Sequence, residues 1–266
     1  MHNPFRSNDR LGLTRIHMAK TKNKLSEEEM LAMKAEEKIR HKFNKGCVDY
    51  HLLEDGDRIL IAISGGKDSL VLARLLAERS RIFRPSIKIE AAHVVMDNIP
   101  YETDRSFLQS FCDTLGIKLH ILHSQFDEST DKRKTRCFLC AWNRRKTLFT
   151  FAQANGFNKI ALGHHQDDIL TTWLMNMTYE GSASPTMPPA LQMEHYPITI
   201  IRPLCLVDEQ SISQLSMLLH FQKLKTPCPY EETSRRSDMN KVFRHLETLN
   251  PEARHSLWTA MMQREK

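Results

Sequence analysis

An apolar strand runs directly into an apolar helix through two adjacent glycines in IAISGGKDSLVLARLL, residues 61–76. Glycines weaken regular elements, so the pair Gly65 and Gly66 indicates that something approaches the backbone closely at this junction. At the carboxyl end of a strand, the first amides of the next helix point outward, and the helix dipole adds about half a positive charge. The junction therefore predicts a site for an anion such as phosphate.

Strand and helix patterns alternate along the chain on either side of this junction. The predicted strands are 58–64, 87–96, 118–123, 159–163 and 198–202, and the predicted helices between them are 68–80, 103–115, 138–155 and 167–178. Gly116 and Gly156 stand where left-handed C-caps belong, and Ser26 with Glu29 predicts a capping box for a helix over 25–45. The fold class is therefore α/β: a doubly wound, mainly parallel, Rossmann-like sheet with an N-terminal helix and a helical C-terminal tail.

Four segments follow from this organisation. They are a flexible arm at 1–24, a helix at 25–48, a nucleotide domain at 49–206 with an inserted C-x-x-C segment, and a helical region at 207–266. No apolar run reaches the roughly 18 residues of a membrane span, and the N-terminus has no apolar secretory core. These features predict a cytoplasmic protein that does not contact membranes.

The glycine junction offers several groups to a phosphate besides its amides. It lacks the spacing of a Walker A loop, since Ile61 and Asp68 stand where Gly and Ser/Thr are needed. The predicted nucleotide-binding residues of this loop are Ser64, Gly65, Gly66, Lys67, Asp68 and Ser69. A tight turn with a capping serine is the structural alternative.

A second group of polar residues lies at the end of a later strand, in ALGHHQDDILTTWLMN from Ala161. Asp167 and Asp168 fall in the first turn of the next helix, where they either complement its dipole or hold Mg²⁺ beside phosphates. Together with Asp68 they are the predicted catalytic carboxylates. Gly163 and His164, and Asp97 at the end of another strand, are predicted to line the nucleotide site.

The six cysteines do not suggest a disulfide framework in a chain of this kind. Cys137 and Cys140 have C-x-x-C spacing at a helix start, which fits a redox pair, zinc ligands or iron–sulfur ligands. Cys228 stands alone between two prolines, so three thiolates would leave one coordination position open. Cys47, Cys112 and Cys205 are expected to be buried structural thiols.

A basic run brackets the C-x-x-C pair. The stretch DKRKTRCFLCAWNRRK, residues 131–146, has seven Lys or Arg against one Asp, in a chain of net charge +6. Cations concentrated in this way favour a polyanion such as RNA, although a solvated helix face is the usual alternative. The predicted tRNA-contacting residues are Lys132, Arg133, Lys134, Arg136, Arg144, Arg145 and Lys146.

The motif SGGKDS resembles the SGGxDS pyrophosphate loop of the ATP-pyrophosphatases, which have a PP-loop/HUP-type sheet and transfer AMP to an oxygen of the substrate. With CFLC, LGHHQDD, MPP at 187–189 and IRPL at 201–204, the chain resembles the tRNA 2-thiocytidine synthetases from about Leu52 to Met239. These enzymes carry a [4Fe–4S] cluster on three cysteines, which implies Cys137, Cys140 and Cys228 as ligands. Where some relatives have a second C-x-x-C, this chain has only Cys228.

The resemblance implies an ATP-dependent tRNA sulfurtransferase that uses ATP, Mg²⁺ and a [4Fe–4S] cluster. It would adenylate C2 of an anticodon-loop cytidine, position 32, and replace the oxygen by sulfur, with AMP and pyrophosphate as products. A cysteine desulfurase or inorganic sulfide would donate the sulfur, and a homodimer is the expected assembly. The alternatives are a tRNA 2-thiouridine synthetase, which usually has flanking zinc-binding cysteine pairs, and a non-catalytic RNA-binding or redox-sensing protein. Lysidine synthetases fit less well because they lack the C-x-x-C.

Overall fold

The computed structural model describes residues 26–99, 104–127, 135–221 and 235–263. Its strands are β1 (Arg58–Ala62), β2 (Lys88–Met96), β3 (Leu119–Ser124), β4 (Lys159–Ala161), β5 (Ala190–Gln192) and β6 (Thr199–Ile201). Its helices are α1 (Glu27–Asp49), α2 (Lys67–Ser80), α3 (Arg105–Leu115), α4 (Arg136–Ala154), α5 (Gln166–Tyr179), α6 (Glu209–Leu218), α7 (Arg235–Leu249) and α8 (Ala253–Met262). The predicted α/β class is confirmed.

The six strands form one sheet in the order β3-β2-β1-β4-β6-β5, and β5 is the antiparallel member. The chain moves from β1 outward to β2 and β3, then returns across the sheet to add β4 beside β1. The strand order therefore reverses between β1 and β4. In open α/β sheets, ligands bind at the carboxyl ends of the two strands that flank such a reversal.

Helices cover both faces of the sheet because successive strand residues point to opposite sides. Ile59 and Ile61 belong to the larger core, to which every helix except α4 contributes buried residues. Leu60, the residue between them, packs in the smaller core with Leu148 and Phe149 of α4. Alternating apolar residues of the strands thus contribute to a core on each side of the sheet. The helix α4 packs against β2 and β3 on the side of the smaller core.

Local signals read from the sequence agree with the structure at the ends of elements. The capping box of α1 is present, since Ser26 Oγ accepts from the amide of Glu29 and the Glu29 carboxylate accepts from the amide of Ser26. Gly116 and Gly156 adopt the left-handed conformation after α3 and α4, with φ of 72° and 70°. The short strand β5 was not predicted. The segment boundaries at residues 24, 48 and 206 stay a prediction.

No helix among the described residues is long and apolar enough to cross a membrane.

Candidate functional site

The diglycine loop lies at the carboxyl end of β1, at the strand reversal. Gly65 has a φ of 85°, a conformation that favours glycine. Gly66 is the N-cap of α2 and has no side chain to cap the helix. The first amides of α2 are therefore directed at the crevice, together with the positive end of the helix dipole. This geometry is the one that an anion site requires, and binding of an anion there stays a prediction.

Two serine side chains fix the shape of the loop. Ser69 Oγ is buried and donates to the carbonyl of Gly66 at 2.8 Å, and it accepts from the amide of Ser64 at 3.2 Å. Ser64 Oγ accepts from the amide of Gly66 at 3.2 Å and lies 3.2 Å from Ser69 Oγ. These bonds stabilise the curved form of the loop, and Ser64 is exposed at the crevice.

Gly163, at the end of β4, allows the second motif to approach this loop. A Cβ at Gly163 would lie 3.0 Å from the amide nitrogen of Ser69 and 3.1 Å from the carbonyl carbon of Asp68. Both are backbone atoms, so they cannot move aside as a flexible side chain would. Glycine is therefore required for the close contact between the β4–α5 connection and the start of α2.

Lys67 and Asp68 bring opposite charges to the loop. Lys67 Nζ lies 3.2 Å from Glu209 Oε1 and 3.3 Å from Asp68 Oδ1. Burial lowers the pKa of Lys67, but the two carboxylates outweigh this effect and raise the pKa above its ordinary value. Burial raises the pKa of Asp68, and the Lys67 cation offsets this only in part. Asp68 Oδ1 is buried, and its contact with Lys67 is an ion pair that lacks hydrogen-bond geometry.

His165 lies between Asp68 and Asp168. Its Nε2 is 3.8 Å from Asp68 Oδ1 and 3.4 Å from Asp168 Oδ2. His165 is also the N-cap of α5: its Nδ1 accepts from the amide of Asp168, and Asp168 Oδ2 accepts from the amide of His165. The histidine therefore holds the start of α5 and sets the orientation of Asp168 towards the phosphate loop.

Asp167, next to Asp168, is bound in a buried ionic network. Arg254 of α8 donates to both of its oxygens at 2.9 Å, Arg244 of α7 lies 2.8 Å from Oδ1, and the amide of Glu209 donates to Oδ2 at 2.8 Å. Burial raises the pKa of Asp167, but the hydrogen bonds from Arg254 overcome it, and the pKa is lowered overall. These contacts favour a structural role for Asp167, which joins the C-terminal helices to the crevice.

Asp168 has a different environment from Asp167. Arg236, at the start of α7, donates to Asp168 Oδ1 at 2.9 Å, and the Asp168 side chain keeps 24% of its exposure. Sequence reasoning missed the three arginines of α7 and α8 because no local pattern relates them to a motif in α5. The sequence signal for these arginines is weak: a helical C-terminal region with several arginines follows the acidic pair of α5 along the chain.

His164 and Arg202 form a second pair at the ends of β4 and β6. Burial lowers the pKa of His164 to about 4, and the charge of Arg202 acts in the same direction. Burial also lowers the pKa of Arg202 to about 10. Arg202 donates to the carbonyl of Pro188, which joins the IRPL and MPP motifs. His164 is therefore a neutral imidazole at neutral pH. It lies at the carboxyl edge of the sheet, after β4, as the sequence predicts.

A cavity of about 90 Å³ opens beside the phosphate loop, between the ends of β1 and β2 and the helix α4. Ser64, His93, Arg144 and Leu148 are among the residues that line it. His93 is buried, its Nδ1 lies 2.8 Å from the carbonyl oxygen of Ile63, and burial lowers its pKa. His93 was not predicted as a site residue, because a histidine within an apolar strand is usually structural.

Asp97 does not line this cavity. It is exposed at the end of β2, and its Oδ1 lies 2.8 Å from His123 Nδ1 of β3. Its assignment to the nucleotide site stays a prediction.

The C-x-x-C pair lies in the first turns of α4. Thr135 caps the helix by accepting from the amide of Phe138 at 3.3 Å. Cys137 is exposed and Cys140 is half-buried, and the positive end of the helix dipole favours anionic groups there. Cys228 lies outside the described residues, so the three-cysteine arrangement stays a prediction. Cys47, Cys112 and Cys205 are buried, as expected.

The basic run is described only in part, because Lys132, Arg133 and Lys134 lie outside the described residues. Arg136, Arg145 and Lys146 are exposed on α4, whereas Arg144 faces the cavity. The described half of the run is therefore divided between the surface of α4 and the wall of the crevice.

Comparisons with known proteins give a consistent result. The family model of the PP-loop domain matches residues 31–225. A curated protein of Bdellovibrio bacteriovorus named tRNA-cytidine(32) 2-sulfurtransferase is 37% identical over 229 residues, which cover 84% of this chain and 87% of that protein. A protein of the same name from Shewanella frigidimarina is 34% identical over 233 residues, covering 86% of this chain and 74% of that protein.

A solved structure also matches most of the chain. It is the U34-tRNA thiolase NcsA from Methanococcus maripaludis with its [4Fe-4S] cluster. The TM-score is 0.69 and the sequence identity 26%, and the match covers 88% of this chain and 80% of that one.

Proposed function

The chain belongs to the PP-loop family, alongside the tRNA-cytidine(32) 2-sulfurtransferases that it matches, and from this premise we propose that it thiolates tRNA. The reaction is the ATP-dependent replacement of the C2 oxygen of cytidine 32 by sulfur. One observation carries the proposal: Arg144, one helical turn after Cys140, lines the same cavity as Ser64 of the phosphate loop. The cysteine-bearing helix and the nucleotide site are thus walls of a single crevice.

ATP binds with its phosphates at the start of α2. The amides of the loop and the helix dipole receive phosphate oxygens, and Lys67 neutralises charge that develops on the leaving pyrophosphate. Lys67 then exchanges its contact with Glu209 for one with phosphate. His93 and Arg144 bound the cavity next to the phosphates, and its volume of about 90 Å³ can receive only a small part of the nucleotide.

Mg²⁺ is the expected counter-ion of the phosphates, and the residues present fit it. Asp68 Oδ1 is a buried carboxylate oxygen whose contact with Lys67, at 3.3 Å, is an ion pair without hydrogen-bond geometry, and burial, with a smaller contribution from the charge of Asp168, raises the pKa of Asp68. Mg²⁺ is usually held by one or two carboxylates with substrate phosphates. We assign this role to Asp68 and Asp168, because the Asp167 side chain is 4% exposed and held by Arg254 and Arg244, whereas Asp168 is 24% exposed and could exchange its contact with the exposed Arg236 for a cation.

A [4Fe–4S] cluster fits the thiol pair of α4. Cys137 and Cys140 are separated by one helical turn at the positive end of the helix, and Cys228 is the proposed third ligand. When bound, the cluster would carry the sulfur from the external donor and present it for the exchange at C2. The helix α4 carries the two cysteines and also Arg144, which lines the crevice. The sulfur-carrying group and the nucleotide would therefore be positioned by one rigid element.

The chemistry requires activation because the C2 oxygen of cytosine is a poor leaving group. The C2 oxygen attacks the α-phosphate of ATP, the bond between the α- and β-phosphates breaks, and pyrophosphate leaves. A sulfur nucleophile then forms a bond to C2, the C2–O bond breaks, and AMP carries the oxygen away. The base must leave its stack to reach the crevice, which costs a few kcal/mol and is cheapest for an unpaired loop nucleotide.

Substitution of the cysteines tests this function directly. Cys137→Ala, Cys140→Ala and Cys228→Ala are each expected to abolish 2-thiocytidine in tRNA, measured by nucleoside analysis of tRNA from cells that express each variant. Cys112→Ala is the matched control, because Cys112 is buried in the core between α3 and the sheet. Anaerobically purified wild-type protein is expected to show the broad visible absorption of an iron–sulfur cluster. Full activity in all three variants, or an active, colourless zinc protein, would contradict the proposal.

The same analysis separates the alternatives. Loss of 2-thiouridine instead of 2-thiocytidine would indicate the thiouridine reaction, and no change in either nucleoside would indicate a non-catalytic protein. Within the proposal, a cysteine desulfurase or inorganic sulfide provides the sulfur, the enzyme acts on tRNA in the cytoplasm, and it works as a homodimer.

A further inference from the structure

The N-terminal half of α4 exposes two aromatic side chains beside the cysteines. Phe138 is 43% exposed and Trp142 is 47% exposed. Residues four apart are neighbours on a helix surface, so the two rings lie along one side of α4. Both rings lie within two helical turns of Cys140, next to the thiol pair.

A cation and a groove continue this surface towards the sheet edge. Lys146 Nζ lies over the Trp142 ring, 5.1 Å from its centroid. Lys146 also lines an open groove of about 550 Å³ between α4 and β3, the edge strand of the sheet. Hydrogen-bonding side chains line the groove, among them His123, Asn143, Thr147 and Thr150. The groove is large enough for a nucleotide-sized ligand.

The charge of α4 decides the class of ligand. Its 19 residues include Arg136, Arg144, Arg145 and Lys146, and none of them is acidic. Aromatic rings interleaved with cations, beside a groove of amide and hydroxyl groups, are the features with which proteins bind single-stranded nucleic acid. A protein partner would favour a surface with fewer cations, since charged residues are depleted at the centre of protein interfaces.

We propose that the α4 surface, defined as Phe138, Trp142, Lys146 and the adjoining groove, stacks and holds unpaired nucleotides of the tRNA anticodon loop beside the target cytidine. The inference rests on the proposed function and adds the contacts that read the RNA. Stacking on Trp142 replaces stacking that the loop loses when the cytidine enters the crevice. Because Arg144 projects from the same helix into the cavity, the held nucleotides and the reacting base are kept in a fixed relation.

Tryptophan fluorescence gives a readout specific to stacking. Trp173 and Trp258 are only 4% and 7% exposed, so a change in emission on adding RNA reports on Trp142. The probe is an unmodified anticodon stem-loop RNA with cytidine at the target position, added to the full-length enzyme. We expect strong quenching in the wild-type protein and none in Trp142→Ala.

Affinity measurements provide the second arm. Loss of one base–aromatic stack predicts RNA binding weaker by about 5- to 150-fold in Trp142→Ala, with Trp142→Phe restoring most of it. Phe83→Ala is the matched control, because Phe83 is 83% exposed and has the Arg84 guanidinium over its ring at 5.7 Å, but lies in the α2–β2 turn. Phe83→Ala is expected to bind RNA like the wild type. Thermal unfolding of each variant verifies folding.

A double-mutant cycle with the RNA completes the test. An abasic nucleotide next to the target cytidine is expected to weaken binding to the wild type but not to Trp142→Ala. The inference would be overturned if Trp142→Ala bound the RNA as tightly as the wild type, or if RNA left the tryptophan emission of the wild type unchanged. These are the results expected if the surface binds a protein instead. If wild-type enzyme makes no 2-thiocytidine, the proposed function fails independently of these results.

Discussion

Replacing Asp167 by Asn discriminates between a structural and a metal-binding carboxylate. The Asp167 side chain is 4% exposed and is held by two arginines and one backbone amide. Asn keeps one acceptor oxygen but turns an amide group towards the guanidinium donors, whose charge is then compensated only by Glu247 and Glu209. Breaking a fully buried ion pair on one side costs about 3–5 kcal/mol, but Arg254 and Arg244 are 19% and 45% exposed and keep these other partners, so we expect a loss of about 2–3 kcal/mol. At about 2–4 °C per kcal/mol, the melting temperature should fall by about 4–12 °C.

Asp168→Asn is the matched control for this measurement. Asp168 is adjacent in sequence, but its side chain is 24% exposed and its partner Arg236 is 41% exposed. A pair of this exposure contributes about 1 kcal/mol or less. We therefore expect Asp168→Asn to unfold near the wild-type temperature while losing Mg²⁺-dependent ATP turnover, the opposite pattern to Asp167→Asn.

The pH dependence gives an independent check on Asp167. Because the folded-state pKa of Asp167 is lowered from 3.8, its ionic contribution is fully present above that value and is lost as the pH falls through the lower folded pKa. The stability difference between wild type and Asp167→Asn should therefore shrink in acid, as measured by denaturant unfolding from neutral to low pH. Suppose instead that Asp167→Asn melts within about 2 °C of the wild type yet no longer responds to Mg²⁺. The structural reasoning would then be wrong, and Asp167 would be a metal ligand.

Three further predictions concern the phosphate loop and the RNA. Gly163→Ala should destabilise the protein by about 1–3 kcal/mol and weaken ATP binding, because the new Cβ meets the Ser69 backbone. Denaturant unfolding curves and calorimetric ATP titrations that match those of the wild type would contradict this. Glu209→Gln should tighten ATP binding up to about fivefold by releasing Lys67, and titration calorimetry that shows weaker binding would refute the exchange. Raising the salt concentration should lower the tRNA association constant by about 0.7–0.9 log units per log unit of salt for each neutralised phosphate. A flat response would exclude phosphate contacts by the basic run.

The features that the sequence predicted well are those that depend on neighbouring residues. The five parallel strands, the left-handed glycines and the capping box of Ser26 each depend on a few consecutive side chains. The glycine loop was placed correctly because a strand, two glycines and a helix follow one another without interruption. The strand β5 was missed because it directly follows Pro189 and contains no β-branched residue, whereas β4 and β6, which are equally short, each contain isoleucine.

Contacts between distant parts of the chain could not be predicted. Arg254 reaches Asp167 across 87 positions, and Arg236 reaches Asp168 across 68. An acidic pair at the start of a helix is equally consistent with a favourable dipole interaction and with a metal site. The contacts of the arginines of α7 and α8 are what distinguish Asp167 from Asp168. The same holds for His165, whose capping role depends on a histidine at a position where Ser, Thr, Asp or Asn is usual.

The link between Asp167 and α8 has a consequence for synthesis on the ribosome. The phosphate loop and the cysteine helix emerge early, but the guanidinium groups that neutralise the buried carboxylate belong to Arg244 of α7 and Arg254 of α8. A nascent chain therefore lacks this compensation at its crevice until the C-terminal helices have left the exit tunnel. Docking of those helices completes the ionic contacts of Asp167.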